Sequence, residues 1–210
     1  MATKTLPKAT AAFILSEGNG SISREAVTVD TGTLSAGTVL GKITKAGATF
    51  AHVAGGTGDS TCSAITVGAA AVAGVYHITF TTATKATIED PEGVKLASIT
   101  LGSAFSSGGL GFTMTAGATP HVAGDEATIT VAAGSAKYVA YNQDSTDGSE
   151  DAAAVLVAAC DASTADQTAV AIVRLAEVNG AELVWPADIE AGEKTAAIAQ
   201  LAANTIFVRS

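Results

Sequence analysis

The sequence predicts a mainly β protein: a small β-rich body with one C-terminal helix, and an inserted all-β, sandwich-like module. Three observations support this fold class. Thr- and Val-rich segments with a period of two recur through the middle of the chain. After Lys137 the sequence changes to an acidic loop followed by longer apolar runs. Apolar residues follow a convincing helical spacing only in residues 188–204.

The strand candidates are short stretches in which apolar and polar residues alternate. Turn signals such as DTG at 30–32 and DPEG at 90–93 separate them. Short strands at this spacing favour a sandwich or a barrel for the middle of the chain. The candidates are AVTV (26–29), TVLGKI (38–43), SAITV (63–67), VYHITF (75–80), ATIED (86–90), FTMT (112–115) and ATITV (127–131).

Two stretches of this middle region share a plan. Residues 65–80, ITVGAAAVAGVYHITF, and residues 114–131, MTAGATPHVAGDEATITV, each run from a strand through small residues and a VAG turn to a second strand. We interpret them either as two similar hairpins or as a chance match, which an Ala-, Gly- and Thr-rich composition readily produces.

The C-terminal part predicts three further strands and the helix. AAAVLVAAC (152–160) and TAVAIVRLA (168–176) are strand candidates, and the NG pair at 179–180 favours a hairpin with the following AELVW. Asp188 is the expected N-cap of the helix at 188–204, and Asn204 is expected to end it in the left-handed conformation. TIFVR then forms a closing strand.

Composition limits the partners that the chain can have. Its 210 residues are 48% hydrophobic but only 5% aromatic, which predicts a folded protein with thin cores and favours oligomerisation. The net charge of −9 argues against nucleic acid as a partner. The uncharged tract 96–124 is interrupted by Gly, Ser and Thr, so we expect no membrane span. The first apolar run ends at Leu15, too short for a signal peptide, and predicts a protein made in the cytoplasm.

No residue pattern predicts catalysis, a cofactor or a metal. His52, His77 and His121 are scattered and read as surface or structural histidines. No nucleophile elbow occurs, and the spacing of the acidic loop 142–151 does not fit an EF-hand, so a solvated loop is favoured over a calcium site. Cys62 and Cys160 fall in different predicted modules and are expected to stay unpaired.

Both ends of the chain carry motifs of a known family. SREAVTVDTGTLSAGTVLGKIT (23–44) leads into the predicted body. In the C-terminal part, DGSEDAAAVLVAAC, a second strand, the corner Leu183-Val184-Trp185-Pro186, the helix and TIFV follow in order. In this order they resemble the lambda-type head decoration protein D family of bacteriophages. The resemblance covers residues 13–46 and 137–210, and the corner is one residue longer than the usual family form.

The resemblance implies a structural virion protein without enzymatic activity. The expected domains are a flexible N-terminal arm (1–22), a discontinuous capsid-binding body (23–46 and 137–210) and an inserted, outward-facing β module (47–136). The expected partners are the major capsid protein and two further copies in a homotrimer, with no nucleic acid and no membrane. The protein would bind the outer surface of the expanded capsid at three-fold and quasi-three-fold positions and stabilise the head.

Two groups of residues are candidate contacts. Phe13, Ile14, Leu15, Ser16 and Glu17 form the candidate capsid-binding arm. Trp185, the only tryptophan, and Pro186 are candidate anchors in the core or at the trimer interface.

A second hypothesis assigns adhesion to the inserted module, which would bind a glycan on a host or environmental surface while the body serves as its mount. This requires exposed aromatic side chains, but most of the insert's aromatic residues are expected to face inward. These residues are Phe50, Tyr76, Phe80, Phe105 and Phe112. A hydrolase is the third hypothesis, and the missing nucleophile and metal patterns disfavour it.

Overall fold

The computed structural model describes residues 9–19 and 22–209, and the chain divides into two compact units. Unit 1 contains residues 1–43 and 136–210, and unit 2 contains residues 44–135. The fold is mainly β, as predicted. In chain order the elements are β1 (Ile14–Glu17), β2 (Arg24–Val29), β3 (Gly32–Leu34), β4 (Val39–Lys42), β5 (Lys45–His52), β6 (Thr61–Cys62), β7 (Thr66–Val67), β8 (Gly74–Thr82), β9 (Lys85–Glu89), β10 (Ile99–Thr100), β11 (Ala104–Ser107), β12 (Leu110–Thr115), β13 (Glu126–Ala133), β14 (Tyr138–Ala140), β15 (Ala152–Leu156), β16 (Cys160–Ala162), β17 (Gln167–Ile172), β18 (Ala176–Asn179), α1 (Ala191–Ala203) and β19 (Ile206–Arg209).

Unit 1 is built on a closed five-stranded barrel in the order β14-β2-β17-β15-β4. The longest pairing joins β2 and β17, whose residues 24–29 and 167–172 are antiparallel partners throughout. Inward-facing Val27, Leu40, Ala154, Leu156 and Ala171 fill the barrel. Because two of these five side chains are alanines, the barrel core is thin, as the composition predicts.

A three-stranded sheet with the order β1-β18-β19 completes unit 1. β1 runs antiparallel to β18, and β19 runs parallel to it. The parallel pair requires a crossover, and α1 is part of it. Ala197 and Leu201 of α1 are buried in the same core as Val178 and Ile206.

The helix begins later than the sequence predicts. Its N-cap is Glu190 and not Asp188, and the Glu190 N–H donates to the Glu193 carboxylate at 2.8 Å. This bond is part of a capping box between Glu190 and Glu193, which explains why the start lies two residues downstream. Asn204 ends the helix with a φ of −85°, and Thr205, at +60°, takes the left-handed conformation instead.

The predicted NG hairpin is wrong. Asn179 and Gly180 do form a turn, but β18 pairs with β1 and β19 and not with the following AELVW segment. That segment instead forms an isolated parallel bridge between Val184 and Thr38. The turn chemistry was recognised correctly, and tertiary pairing determined the partner strands.

Unit 2 consists of two sheets with a shared core. One sheet has the order β10-β9-β8-β13-β5, and the other has β11-β12-β6 with β7 also paired to β12. Tyr76, Phe80 and Ile129 from the first sheet are buried in one cluster with Phe112 and Met114 from the second. This arrangement has the sandwich character expected for the insert.

The two similar stretches of unit 2 are crossings between its sheets. Residues 65–80 run from β7 in the smaller sheet to β8 in the larger one, and residues 114–131 run from β12 to β13 in the same way. β8 and β13 are antiparallel neighbours. The hairpin interpretation is therefore wrong. The similar sequences of the two stretches nevertheless correspond to similar connections from the smaller sheet to the larger one.

The chain leaves and re-enters unit 1 at adjacent positions. β4 and β14 are antiparallel partners, with Tyr138 opposite Lys42. Beyond them, Ile43 N–H donates to the Lys137 carbonyl and Ala136 N–H to the Ile43 carbonyl, both at 2.9 Å. The insert is thus attached through a hydrogen-bonded two-strand neck, which we define as residues 42–43 and 136–138.

Candidate functional site

The candidate arm residues lie in and beside β1 in unit 1. Phe13 is only 2% exposed and packs in the core shared by the three-stranded sheet and α1. Ile14 is half-buried, and Leu15, Ser16 and Glu17 are exposed. Residues 1–8, 20 and 21 of the predicted arm lie outside the described residues. Mobility of the arm outside residues 13–17 in the free protein stays a prediction.

β1 is the edge strand of its sheet. It pairs with β18 in the register Ile14 to Val178 and Glu17 to Ala176, with an irregularity between Ile14 and Ser16. No described strand pairs with its other side. An exposed edge offers main-chain N–H and C=O groups to an additional strand.

The end of β1 is held by polar contacts. Ser23 is fully buried; its hydroxyl accepts the Gly18 N–H at 2.7 Å and donates to the Leu175 carbonyl at 3.0 Å. Arg24 donates two hydrogen bonds to the Glu17 carboxylate, at 2.9 and 2.6 Å. The Arg24 guanidinium holds the pKa of Glu17 below its usual value.

An open groove of about 390 Å³ lies beside β1. Leu175 and Phe207 line it and are exposed by 46% and 44%. The Arg209 guanidinium lies 5.8 Å from the Phe207 ring centroid and also donates to the Glu177 carboxylate. The groove thus combines an apolar lining with a charge-paired rim. We call it the arm groove, lined by Ser16, Glu17, Gly18, Leu175, Ala176, Glu177, Thr205 and Phe207.

Two residues of the arm groove have unfavourable backbone conformations. Leu175 and Thr205 have φ values of +51° and +60°, in the left-handed region that bulky and β-branched residues avoid. They hold each other in place, because the Leu175 N–H donates to the Thr205 hydroxyl at 2.9 Å and Ala176 N–H to the Thr205 carbonyl at 3.2 Å. Thr205 follows the C-cap of α1, where a left-handed residue is common, and its contacts with Leu175 and Ala176 fix this wall of the groove.

Trp185 and Pro186 lie at a corner of unit 1. The Trp185 ring is partly buried against the α1 core and meets the ring of Tyr141 edge-on, with centroids 6.1 Å apart. Lys194 Nζ lies 5.5 Å from the Trp185 ring centroid. The corner therefore contributes to the core, and a role at a trimer interface stays a prediction.

Unit 2 contains a buried Ser-His-Asp arrangement that the sequence analysis missed. His121 Nε2 lies 2.9 Å from the Ser60 hydroxyl, and Nδ1 lies 3.1 Å from the Asp125 carboxylate. Asp125 also accepts the backbone N–H groups of Thr57, Gly58 and Val122. Burial opposes ionisation of Asp125, but these donors outweigh it and lower the pKa of the carboxyl far below its usual value.

The three side chains are hydrogen-bonded in the same sequence as in a catalytic triad, but the Ser60 hydroxyl is buried away from solvent. Ser60 and His121 are each 3% exposed, and Phe80 stacks on the imidazole with ring centroids 3.5 Å apart. On another side Gly58 lies so close that a Cβ there would be 2.1 Å from His121 Nδ1. The three residues act as a clasp between the loop at 57–60 and the turn at 121–125.

The acidic loop 142–151 is more ordered than the sequence predicts. Ser149 and Glu150 are buried, and the Glu150 carboxylate accepts the Gly148 N–H at 2.6 Å. Asp147 accepts hydrogen bonds from Ser145 and Ser149. In the part of the chain that the structure describes, no group of three or more His, Cys, Asp or Glu residues is arranged to hold a metal ion.

Comparison with known proteins identifies the family. The family model for the bacteriophage lambda head decoration protein D matches residues 3–206, nearly the whole chain. The match runs through unit 2, whereas the motifs quoted above lie in the two ends of the chain. A comparison with curated proteins finds no match. None of the helices in the described ranges is long and apolar enough to cross a membrane.

Solved structures of two flagellar proteins show a weak likeness to the chain. Xanthomonas campestris FlgL shares 16% identity at a TM-score of 0.34, covering 47% of this chain and 33% of that one. The hook junction protein FlgK from Burkholderia pseudomallei shares 19% identity at a TM-score of 0.35, covering 56% of this chain and 21% of that one. The chain therefore spans a third or less of these two relatives, and similarity at this level supports no functional inference.

A β-rich chain with this family match is a structural protein of the phage head. It belongs to the bacteriophage lambda head decoration protein D family, which confirms the resemblance seen in the sequence. Membership gives the protein a structural role in the virion and implies that it binds the capsid.

Proposed function

We propose that three copies of this protein cap the outer surface of the expanded phage head at three-fold and quasi-three-fold positions and stabilise it. The major capsid protein is the partner, and the face formed by β1 and the arm groove is the contact. The observation that carries this proposal is the family match over residues 3–206. The function requires binding alone, without a cofactor.

The edge of β1 supports a contact made through main-chain hydrogen bonds. An extended segment of the capsid protein that adds to this edge gains a ladder of N–H to C=O bonds, and neighbouring pockets take its side chains. Leu15, exposed by 56%, and the apolar groove residue Phe207 supply such neighbours. Ser16 and Glu17 supply polar groups beside them.

Burial of Phe13 supports a contact surface formed in advance. With Phe13 in the core and Ser23 fixing the end of the strand, residues 13–17 are ordered on unit 1. Ordering a segment on binding costs free energy, so a preformed strand binds more tightly than a free one with the same contacts. Three such strands on one trimer would add the gain of effective concentration.

The test mixes purified protein with expanded capsids that lack the decoration protein, followed by cryo-electron microscopy of the heads. We expect density at the three-fold and quasi-three-fold positions. Leu15→Asp places a charge at the β1 edge, and we expect it to reduce occupancy at least tenfold. Val94→Asp is the matched control, because Val94 is exposed by 55% and lies in unit 2.

Heads that stay bare with intact wild-type protein would refute the proposal. Unchanged binding of Leu15→Asp would refute the β1 face as the contact, and loss of binding by Val94→Asp would move the contact to unit 2. Native mass spectrometry of the free protein and of protein released from heads determines whether a trimer forms. Head stabilisation is measured as the temperature at which DNA is released.

Glycan binding by the insert has little support in unit 2. Its aromatic side chains Tyr76, Phe80, Phe105 and Phe112 are buried, and its large exposed hydrophobic residues are valines. Phe50 is partly buried against the same core. Aromatic faces available for stacking on sugars are therefore scarce, and capsid decoration is the function that we propose.

A further inference from the structure

A second cavity of unit 1 lies at the Trp185 corner and is not part of the arm groove. Its volume is about 250 Å³, enough for one large side chain. The rings of Tyr141 and Trp185 line it, and they stand nearly perpendicular at an interplanar angle of 87°. Leu34, Val39, Val184 and Pro186 supply most of the remaining apolar lining. The cavity thus has two aromatic walls and an aliphatic surface.

Trp185 has an unsatisfied donor. Its Nε1 is buried and has no hydrogen-bond partner among the described residues. Buried indole N–H groups are usually paired, because an unpaired donor loses the hydrogen bond that it would make with water. A main-chain carbonyl of a bound peptide is the kind of acceptor that this donor lacks.

The surroundings of the cavity are negatively charged. Burial raises the pKa of Tyr141, and the carboxylates of Glu193, Asp151 and Asp144 raise it further. Lys194, over the Trp185 ring, is a cation that opposes them. The three carboxylates act at the Tyr141 wall of the cavity, and their negative charge favours a positive ligand there. The contact of Lys194 with Trp185 also shows that this ring accepts a cation on its face.

These features fit one type of side chain. Arginine and lysine carry an aliphatic stem that packs against apolar walls and a cation that interacts with aromatic faces and carboxylates. An acidic segment would be repelled. We propose that the Trp185 cavity binds an arginine or lysine side chain from an extended segment of a partner chain. This site is separate from β1, and the proposal does not depend on the capsid contact.

The test uses Trp185 as its own reporter, since it is the only tryptophan in the chain. The full-length protein is titrated with a blocked Gly/Ser pentapeptide that has a central arginine. The same titration is repeated with peptides that have lysine or neutral citrulline at the central position. We expect a saturable change in Trp185 emission with arginine and lysine, and about tenfold weaker binding of the citrulline peptide, because citrulline keeps the shape but lacks the charge.

Three variants test the origin of the binding. The double variant Asp144→Asn with Glu193→Gln should lower the affinity for the arginine peptide several-fold. Glutamine at 193 can still accept the hydrogen bond from the Glu190 N–H, so the helix cap is kept. Lys194→Ala should tighten binding, because it removes the competing cation. Glu92→Gln, an exposed site in unit 2, changes one charge outside unit 1 and should have no effect.

Equal affinity for the arginine and citrulline peptides would overturn the proposal, and so would the absence of a saturable response. Weaker binding after Lys194→Ala would also contradict it. Amide chemical shifts of Val39 and Val184 provide a second measurement that is independent of fluorescence. If these amides do not respond while the emission changes, the peptide binds elsewhere and the proposal fails.

Discussion

The two units of this chain both consist of short strands, but they close their cores in different ways. Unit 2 buries aromatic and large aliphatic side chains from both of its sheets in one cluster, and all of them come from residues 71–131. Unit 1 has two smaller clusters, and one of them requires Phe13 from the beginning of the chain and Ile206 from its end. The insert therefore has a self-contained core, whereas the body depends on its terminal segments.

The polar contacts of the two units also differ. Unit 2 buries a hydrogen-bonded Ser60-His121-Asp125 clasp beside its aromatic core. Unit 1 buries the Ser23 hydroxyl and the Glu150 carboxylate, and it also carries exposed charge pairs, such as Arg24 with Glu17 and Arg209 with Glu177. Buried networks specify a unique packing, and exposed charge pairs add little stability.

The largest effect is expected from Phe13→Ala. Removing a buried phenylalanine should destabilise unit 1 by about 3–5 kcal/mol, because the cavity can relax only in part. Chemical unfolding followed by Trp185 fluorescence measures this. The control Leu15→Ala, at an exposed position, should stay within about 0.5 kcal/mol. If the amide signals of Ile78 and Ile129 in unit 2 are lost in step with unit 1, the cores are not independent.

A smaller effect is expected from Gly58→Ala in unit 2. The new methyl group would lie 2.1 Å from His121 Nδ1, so the clasp must shift, at a cost of about 1–3 kcal/mol. Hydrogen exchange at Ile129 would report the loss. Gly47→Ala is the matched control, because its Cβ would have no neighbour within 4 Å. Equal exchange in both variants would show that the loop moves aside freely.

Acid should reveal the contribution of Asp125. Its folded-state pKa lies below its unfolded value, so the carboxylate stabilises unit 2 above about pH 4 and loses this contribution as the pH falls toward the folded pKa. Asp125→Asn should therefore be less stable than wild type at pH 7, and the difference should shrink below about pH 4. A difference that does not change with pH would assign the effect to packing.

The smallest effect is expected from removing unit 2 altogether. Replacing residues 44–135 with Asn-Gly would join β4 and β14 as a hairpin, the pairing that they already have. We expect the midpoint of the Trp185 unfolding transition to shift by only a few degrees. Failure of the shortened body to fold would show that unit 1 needs the insert.

Strands with clear alternation were predicted from the sequence, as was the continuous apolar run AAAVLVAAC, which contains β15. VYHITF and ATITV became β8 and β13, where β-branched and aromatic residues face the core. KAGATFAH, which forms the eight-residue β5, was missed because alanine and glycine dilute the alternation. The apolar spacing predicts the helix, but the helix starts later than Asp188 because Glu190 and Glu193 cap it.

The candidate site was only partly predictable. Residues 13–17 came from the family resemblance, but the groove beside them also needs Leu175 and Thr205, whose backbone conformations have no signature in the sequence. Ser60 and His121 are 61 positions apart, so no local motif connects them. The sequence shows only that His121 and Asp125 are four positions apart, and outside a helix this spacing does not predict a contact between them.

The neck between the units has a consequence for inheritance. Its two strands are already hydrogen-bonded neighbours, so a gene segment spliced between codons 43 and 136 adds a domain without separating any pair of strands in the body. Recombination at this point can gain, lose or exchange the insert in a single event. Selection can then act on the insert at its own rate while the body keeps its own core.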